Sequence, residues 1–85
     1  MNAEIEKKIG QNIRELREKA GLTQDQLSAR MQTLGCDVTR SALAKIEVGP
    51  RHMYPDEAIA VKTALRVKYD ELFALDGLEE AFENE

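Results

Sequence analysis

The sequence predicts an all-α domain made of five short helices. Apolar residues recur at steps of three and four, as on the buried side of a helix, and no segment alternates apolar and polar residues as a strand does. Glycine and proline residues separate the segments, at positions suited to ending or starting a helix. The 85 residues, 42% hydrophobic and 33% charged, suffice for one domain with a single core.

The first two helices have clear boundary signals. A helix is predicted at roughly 4–19 and ends at Gly21, because glycine enters the left-handed conformation without a Cβ clash. Thr23 and Gln26 have the spacing of a capping box, so a second helix starts there and ends at Gly35. The apolar stripes of these two helices are Ile5, Ile9, Ile13, Leu16 and Ala20, then Leu27, Met31 and Leu34.

Three further helices follow at similar spacing. Thr39 is the expected N-cap of the third helix, which Gly49 ends, and Pro55 suits the first position of the fourth. The fifth is predicted at 69–73 after Lys68, a poor capping residue. The remaining segment, 74–85, is acidic and is either a docked extra turn or a frayed tail. Its apolar residues at helical steps are Leu75, Leu78 and Phe82.

The net charge of −4 conceals a polarity along the chain. Residues 1–54 carry nine Lys and Arg against seven Asp and Glu, whereas residues 55–85 carry three against nine. Attraction to phosphate depends on the charge within about one Debye length, roughly 8 Å at physiological salt, rather than on the total. The acidic total therefore does not exclude a nucleic-acid partner.

Several classes of protein are disfavoured by what the sequence lacks. No apolar run is long enough to span a membrane, and the charged start does not resemble a signal peptide, so we expect a cytoplasmic protein. With one cysteine, Cys36, and one histidine, we expect no internal disulfide, no metal site and no cofactor. No catalytic constellation is present, so we do not expect an enzyme.

Three stretches together carry a family resemblance. "IRELREKAGLTQDQLSARM", "VTRSALAKIEVG" and "KYDELF" resemble the phage-repressor and Cro type of helix-turn-helix domain, also called the xenobiotic-response-element family, over residues 9–73. The resemblance implies a compact, five-helix, lambda-repressor-like DNA-binding domain at 1–73, followed by the acidic segment 74–85. One feature departs from the family: twelve steps separate Leu27 from Thr39, where most members have about seven. We therefore expect a longer second helix or a longer turn.

The resemblance assigns roles to particular residues. It places the third helix in the major groove of DNA, where its outer side would contact base edges. The implied base-contacting residues are Arg40, Ser41, Ala44 and Lys45. The implied or candidate phosphate-contacting residues are Gln24, Thr39, Arg51 and His52. Arg17 and Glu47 occupy positions that commonly pair beneath the recognition helix, which is a structural role.

These expectations favour a transcriptional regulator, most simply a repressor that binds a palindromic operator as a homodimer. The candidate dimer contacts are the fifth helix and the apolar residues of 74–85. Three versions remain open: a prophage-type repressor, an antitoxin and a host regulator. The alternative from a different class is a module that binds another protein through its acidic surface, supported by the net charge of −6 over residues 55–85.

Overall fold

Six helices and their connections make up residues 2–83, which are the residues that the computed structural model describes. No strand occurs within this range, which confirms the all-α prediction. None of these helices has the length and apolar character that a membrane span requires. The helices are α1 (Ala3–Lys19), α2 (Gln24–Thr33), α3 (Arg40–Val48), α4 (Pro55–Leu65), α5 (Tyr69–Leu72) and α6 (Glu80–Glu83). The sixth lies in the acidic segment, whose last two residues, 84 and 85, fall outside the described residues.

The predicted caps are present. The Thr23 hydroxyl accepts a hydrogen bond from the Gln26 backbone at 3.1 Å, and the Gln26 side chain accepts one from the Thr23 backbone at 2.9 Å. The Thr39 hydroxyl accepts from the Ala42 backbone at 3.1 Å. Gly49 ends α3 with a φ of 107°, in the region that favours glycine. The helix boundaries are therefore determined by residues close together in the sequence.

The core joins one side of each of the first five helices. Its fully buried side chains are Ile13, Leu27, Met31, Val38, Leu43, Val61 and Leu72. Cys36 also belongs to the core rather than being only a turn residue, and burial raises the pKa of its thiol. Leu34, on the predicted apolar stripe of the second helix, is instead about half exposed, and so is Ile59 of α4. Apolar periodicity alone could not separate these two from the core.

The long connection between α2 and α3 is ordered by hydrogen bonds. α2 continues for ten residues, and residues 34–39 then lead to α3. The Ser28 hydroxyl donates to the Val38 carbonyl at 2.6 Å, while the Cys36 backbone donates to the Met31 carbonyl at 2.9 Å. Hydrogen bonds thus hold both ends of this connection against α2.

α1 is in close contact with the carboxyl-terminal half of α3 at Gly10. A Cβ placed on Gly10 would lie 2.3 Å from the Ile46 carbonyl oxygen and 2.8 Å from that of Glu47. Both contacts are with backbone atoms, so a larger residue cannot be accommodated by rotating a side chain. Gly10 therefore sets how closely the two helices approach.

α1 also holds α5. Asn12 is buried, and its side-chain nitrogen donates to the Leu72 carbonyl at 3.0 Å and to the Ala74 carbonyl at 2.9 Å. These carbonyls lie at the end of α5, where a helix leaves such groups without intrahelical partners. One amide on α1 thus satisfies two acceptors at the end of the domain.

An ion pair fastens the loop after α3 to α4. The two terminal guanidinium nitrogens of Arg51 donate to the Glu57 carboxylate at 2.8 and 2.9 Å, and the Tyr54 backbone donates to the same group at 2.9 Å. The hydrogen bonds from Arg51 lower the pKa of Glu57, although burial opposes this shift. The same contact raises the pKa of Arg51. Glu57 is therefore an anchored acid rather than only a charge near a helix N-terminus.

Replacing Gly10 with alanine should destabilise the fold. The added methyl group must push α1 away from the Ile46 carbonyl, and such overpacking costs about 1–3 kcal/mol. Helix propensity alone predicts the opposite sign, a gain of about 1 kcal/mol. Urea unfolding of Gly10→Ala, with the exposed neighbour variant Gln11→Ala as control, measures the sign. An unchanged or increased free energy of unfolding for Gly10→Ala would contradict the close approach.

Replacing Glu57 with glutamine should reduce the change in the free energy of unfolding between neutral and acidic pH. Because the folded-state pKa of Glu57 is lowered, its contribution is present above the ordinary pKa of 4.5 and is lost as the pH falls through the folded-state value. Glu57→Gln should therefore be less stable than the parent at neutral pH, by roughly 1–3 kcal/mol, with the difference shrinking towards about pH 3. Unfolding at both pH values measures this. The neighbouring exposed variant Asp56→Asn should show a smaller change, and equal changes would argue against the pair.

Candidate nucleic-acid interface

The outer side of α3 brings together the four residues implied to contact bases. Arg40, Ser41 and Lys45 are exposed and Ala44 is half-buried, whereas Leu43 and Ile46 face the core. This division follows from helical geometry. Residues one, four and five positions after Arg40 lie on the same side of the helix as Arg40, whereas Leu43 and Ile46, three and six positions after it, lie on the other side. α3 therefore presents two cations and a hydroxyl to solvent, and is fixed from behind by apolar packing.

Val48 extends the same side of α3 by one further turn. It lies four residues after Ala44 and its side chain is 62% exposed. Val48 was not among the residues predicted to lie on the outer side of the third helix. The spacing of four residues between Ala44 and Val48, about one helical turn, was the signal that could have placed Val48 on the outer side.

The exposed Arg40 lies beside Asp25 at the start of α2. The closest nitrogen-to-oxygen distance is 3.9 Å, and both side chains are more than 60% exposed. Exposed pairs of this kind contribute little to stability, because solvent screens them. Arg40 therefore remains available to an external partner.

The residues beneath α3 form a buried polar network. Arg17 donates through Nε to Glu47 Oε2 at 2.7 Å and through Nη2 to Glu47 Oε1 at 3.0 Å, so the pair is bidentate. A third nitrogen of Arg17 donates to the Leu22 carbonyl at 2.8 Å. Both partners are less than 10% exposed, and the hydrogen bonds that Arg17 donates to Glu47 raise the pKa of Arg17, although burial opposes this. The structural pair implied by the family resemblance is thus present in the structure.

Gln24 joins this network from the start of α2. Its side-chain nitrogen donates to Glu47 Oε1 at 3.0 Å, which the sequence analysis did not anticipate. A glutamine amide has two N–H donors and one carbonyl, so this contact leaves one donor and the oxygen for another partner. The side chain is half-buried, between the network and solvent. The candidate phosphate-contacting residue is therefore also positioned by the ion pair beneath α3.

The other phosphate candidates fall into two groups. Thr39 is exposed at the start of α3, where its hydroxyl oxygen caps the helix and its hydroxyl proton remains available. Arg51 and His52, in contrast, are engaged within the chain: Arg51 pairs with Glu57, and His52 Nδ1 contacts the Glu6 carboxylate. A phosphate contact by either residue of this second group must share or displace an internal carboxylate.

Two comparisons with known proteins agree with this geometry. A family model described as helix-turn-helix matches residues 13–72, which is more than half of the chain. The crystal structure of the restriction-modification controller protein C.AhdI from Aeromonas hydrophila is similar with a TM-score of 0.69 and 34% sequence identity, over 79% of this chain and 90% of that chain. No curated protein sequence matches the chain.

The match of the family model covers α2, α3 and the Arg17–Glu47 pair, and the solved structure shares the all-helical fold. The chain belongs to the helix-turn-helix family of the lambda-repressor and Cro type, and it is a DNA-binding transcriptional regulator.

Proposed function

We propose that this regulator is a repressor that binds a palindromic operator as a homodimer, with α3 of each copy in the major groove. The observation that carries the proposal is the exposed side of α3, with Arg40, Ser41 and Lys45 projecting from a helix whose opposite side is buried. An α-helix fits the major groove, where each base pair presents a distinct pattern of donors and acceptors. Occupancy of an operator would block polymerase.

Within this proposal each outer residue of α3 makes a different kind of contact with the bases. Arg40 and Lys45 can donate to guanine O6 and N7, and Ser41 can donate or accept at base edges. Ala44 and Val48 offer apolar surface to a thymine methyl group. Reading by Arg40 must weaken its contact with Asp25, at a small cost because both groups are exposed.

Phosphate contacts would set the orientation of the domain on DNA. Polar groups for such contacts lie at the N-termini of α2 and α3. They are the free donor of Gln24, the Thr39 hydroxyl and the backbone N–H groups of the two first turns. Helix N-termini favour anions, because unsatisfied N–H groups and the helix dipole both point towards them. Such contacts position the protein without reading sequence.

For the dimer contact we propose the surface of α5. Tyr69 and Phe73 are stacked with ring centroids 6.3 Å apart, and each is at least 40% exposed. Phe82 is also exposed, whereas Leu75 and Leu78 are half-buried. Exposed aromatic residues are enriched at protein interfaces. A two-fold dimer of this kind would contact half-sites about 34–36 Å apart.

The acidic surface supports a second candidate function, the binding of another protein in the manner of an antitoxin or a protein-binding module. Residues 55–85 carry the net charge of −6, and Glu79, Glu80, Phe82 and Glu83 are all exposed. Copurification of a second small protein would favour this function. A steep fall of DNA affinity with salt would favour the operator proposal, since neutralised phosphates release counterions.

The similarity to a restriction-modification controller protein favours one kind of regulated gene within the repressor proposal. We propose that the genes of a restriction-modification system are the first targets to examine. Selection of bound DNA from a random pool, followed by sequencing, would identify the operator. Recovery of no preferred sequence would contradict sequence-specific regulation.

Replacing Arg40 with alanine should lower affinity for the selected operator and relax the preference at one base position. The expected loss is about 1–3 kcal/mol for the preferred base and less for other bases at that position, because a base contact is removed. Titration of a set of single-base operator variants measures this pattern. The control Lys68→Ala also removes one exposed cation, but from the N-cap of α5, and should change all sequences little and equally. Equal losses on every sequence for Arg40→Ala would contradict base reading.

A further inference from the structure

An exposed surface formed by α2 and α4 is used neither by the DNA interface nor by the α5 contact. Its centre consists of Leu34, at the end of α2, with Ile59 and Thr63 of α4, and all three side chains are exposed. We name this surface, together with the charged residues at its two ends, the α2–α4 patch. Two depressions meet at its centre, and Leu34 and Thr63 line both of them.

The two ends of the α2–α4 patch carry opposite charges. Arg30 and Arg66 line the depression at one end, whereas Asp56 lines the depression at the other. Within residues 2–83 neither arginine has a carboxylate within 4.0 Å, and Asp56 has no cation within that distance. Arg66 follows Asp56 by ten positions, or about 15 Å along the axis of α4. Arg30 donates to the Ala64 carbonyl at 3.1 Å, whereas the charges of Arg66 and Asp56 are available to a partner.

This arrangement is complementary to itself. Asp56, Ile59 and Thr63 follow one another at steps of three and four, so they share one side of α4. Arg66, the residue that caps the end of α4, lines the same depression as Thr63 and Leu34. A two-fold rotation about an axis through the middle of that side exchanges the two ends. It therefore places Asp56 of each copy against Arg66 of the other, with Ile59 and Leu34 near the axis. Isologous interfaces require a surface with this property.

We propose that the α2–α4 patch binds a second copy of this chain around a two-fold axis. Association buries the half-exposed Leu34 and Ile59 and pairs the charges that have no partner within one chain. The contact is separate from α3 and from α5, so it can form whether or not DNA is bound. A chain that uses both this patch and α5 can join one operator-bound pair to another.

The test reverses the charge at each end of the patch in a separate variant. Arg66→Glu places two acids opposite each other in a pair of identical copies, and Asp56→Arg places two arginines opposite each other. Each variant alone should associate about tenfold more weakly than the parent, because two attractive pairs become repulsive. An equimolar mixture of the two variants should regain the parent's association constant, since both pairs are then attractive again. Sedimentation equilibrium of the full chain without DNA measures all three.

Matched controls remove the effect of net charge. Lys7→Glu and Glu4→Arg make the same charge changes at exposed positions of α1, outside the patch and outside the depression that α1 forms with α5, and should leave association unchanged alone and in mixture. Circular dichroism checks that each variant is folded, because Asp56 also lies in the first turn of α4. Ile59→Ser provides a second route, since it removes exposed apolar surface without reversing a charge and should also weaken association.

Three results would overturn the proposal. The first is a parent chain that remains monomeric over the whole concentration range, and the second is a parent whose association is insensitive to both charge reversals and to Ile59→Ser. The third is a mixture that associates no better than the separate variants, which excludes the two-fold pairing of Asp56 with Arg66. Association through α5 would be insensitive to these three substitutions, so it is distinguished from association through the patch. Because all these measurements omit DNA, they do not depend on whether α3 reads an operator.

Discussion

The buried ion pair between Arg17 and Glu47 is the interaction on which the placement of α3 depends. Taking two charges out of water is costly, and the cost is offset only when geometry and additional hydrogen bonds are good. Here the pair is bidentate, the remaining arginine nitrogen is satisfied by the Leu22 carbonyl, and Gln24 adds a donor to the carboxylate. Neither charge can be moved without leaving the other unpaired. The network therefore joins α1, α2 and α3 at one buried point.

The same helix face that supplies Arg17 also limits how α3 can approach. Gly10 lies seven residues earlier on α1, about two turns away, and contacts the backbone of Ile46 and Glu47 directly. α1 thus holds the Glu47 backbone at one point and the Glu47 side chain at another. Both contacts hold the carboxyl-terminal turn of α3 at a defined distance from α1. If α3 reads bases as we propose, it needs this control, because displacements of about 1 Å break bidentate hydrogen bonds.

Local features of the fold were predictable, and long-range pairs were not. Thr23 and Gln26 lie three residues apart, so their capping box lies within four consecutive residues and was predicted together with the helix that it starts. Asn12 meets the end of α5 across 60 residues, and nothing near it in the sequence indicates its partners. The exposed side of α3 followed from periodicity together with family resemblance, whereas the ion pair of Arg51 with Glu57 depends on a loop conformation that periodicity does not describe. Leu34 was misassigned to the core because apolar spacing does not indicate whether a neighbouring helix covers a residue.

A double-mutant cycle on Arg17 and Glu47 tests the central claim most directly. Arg17→Met and Glu47→Gln each leave one buried charge without its partner, at an expected cost of about 3–5 kcal/mol in the free energy of unfolding. The double variant leaves neither charge, so its cost should fall short of the sum of the single costs by about 2 kcal/mol or more. Costs that add to within about 0.5 kcal/mol would contradict the claim that this pair acts as one unit in placing α3.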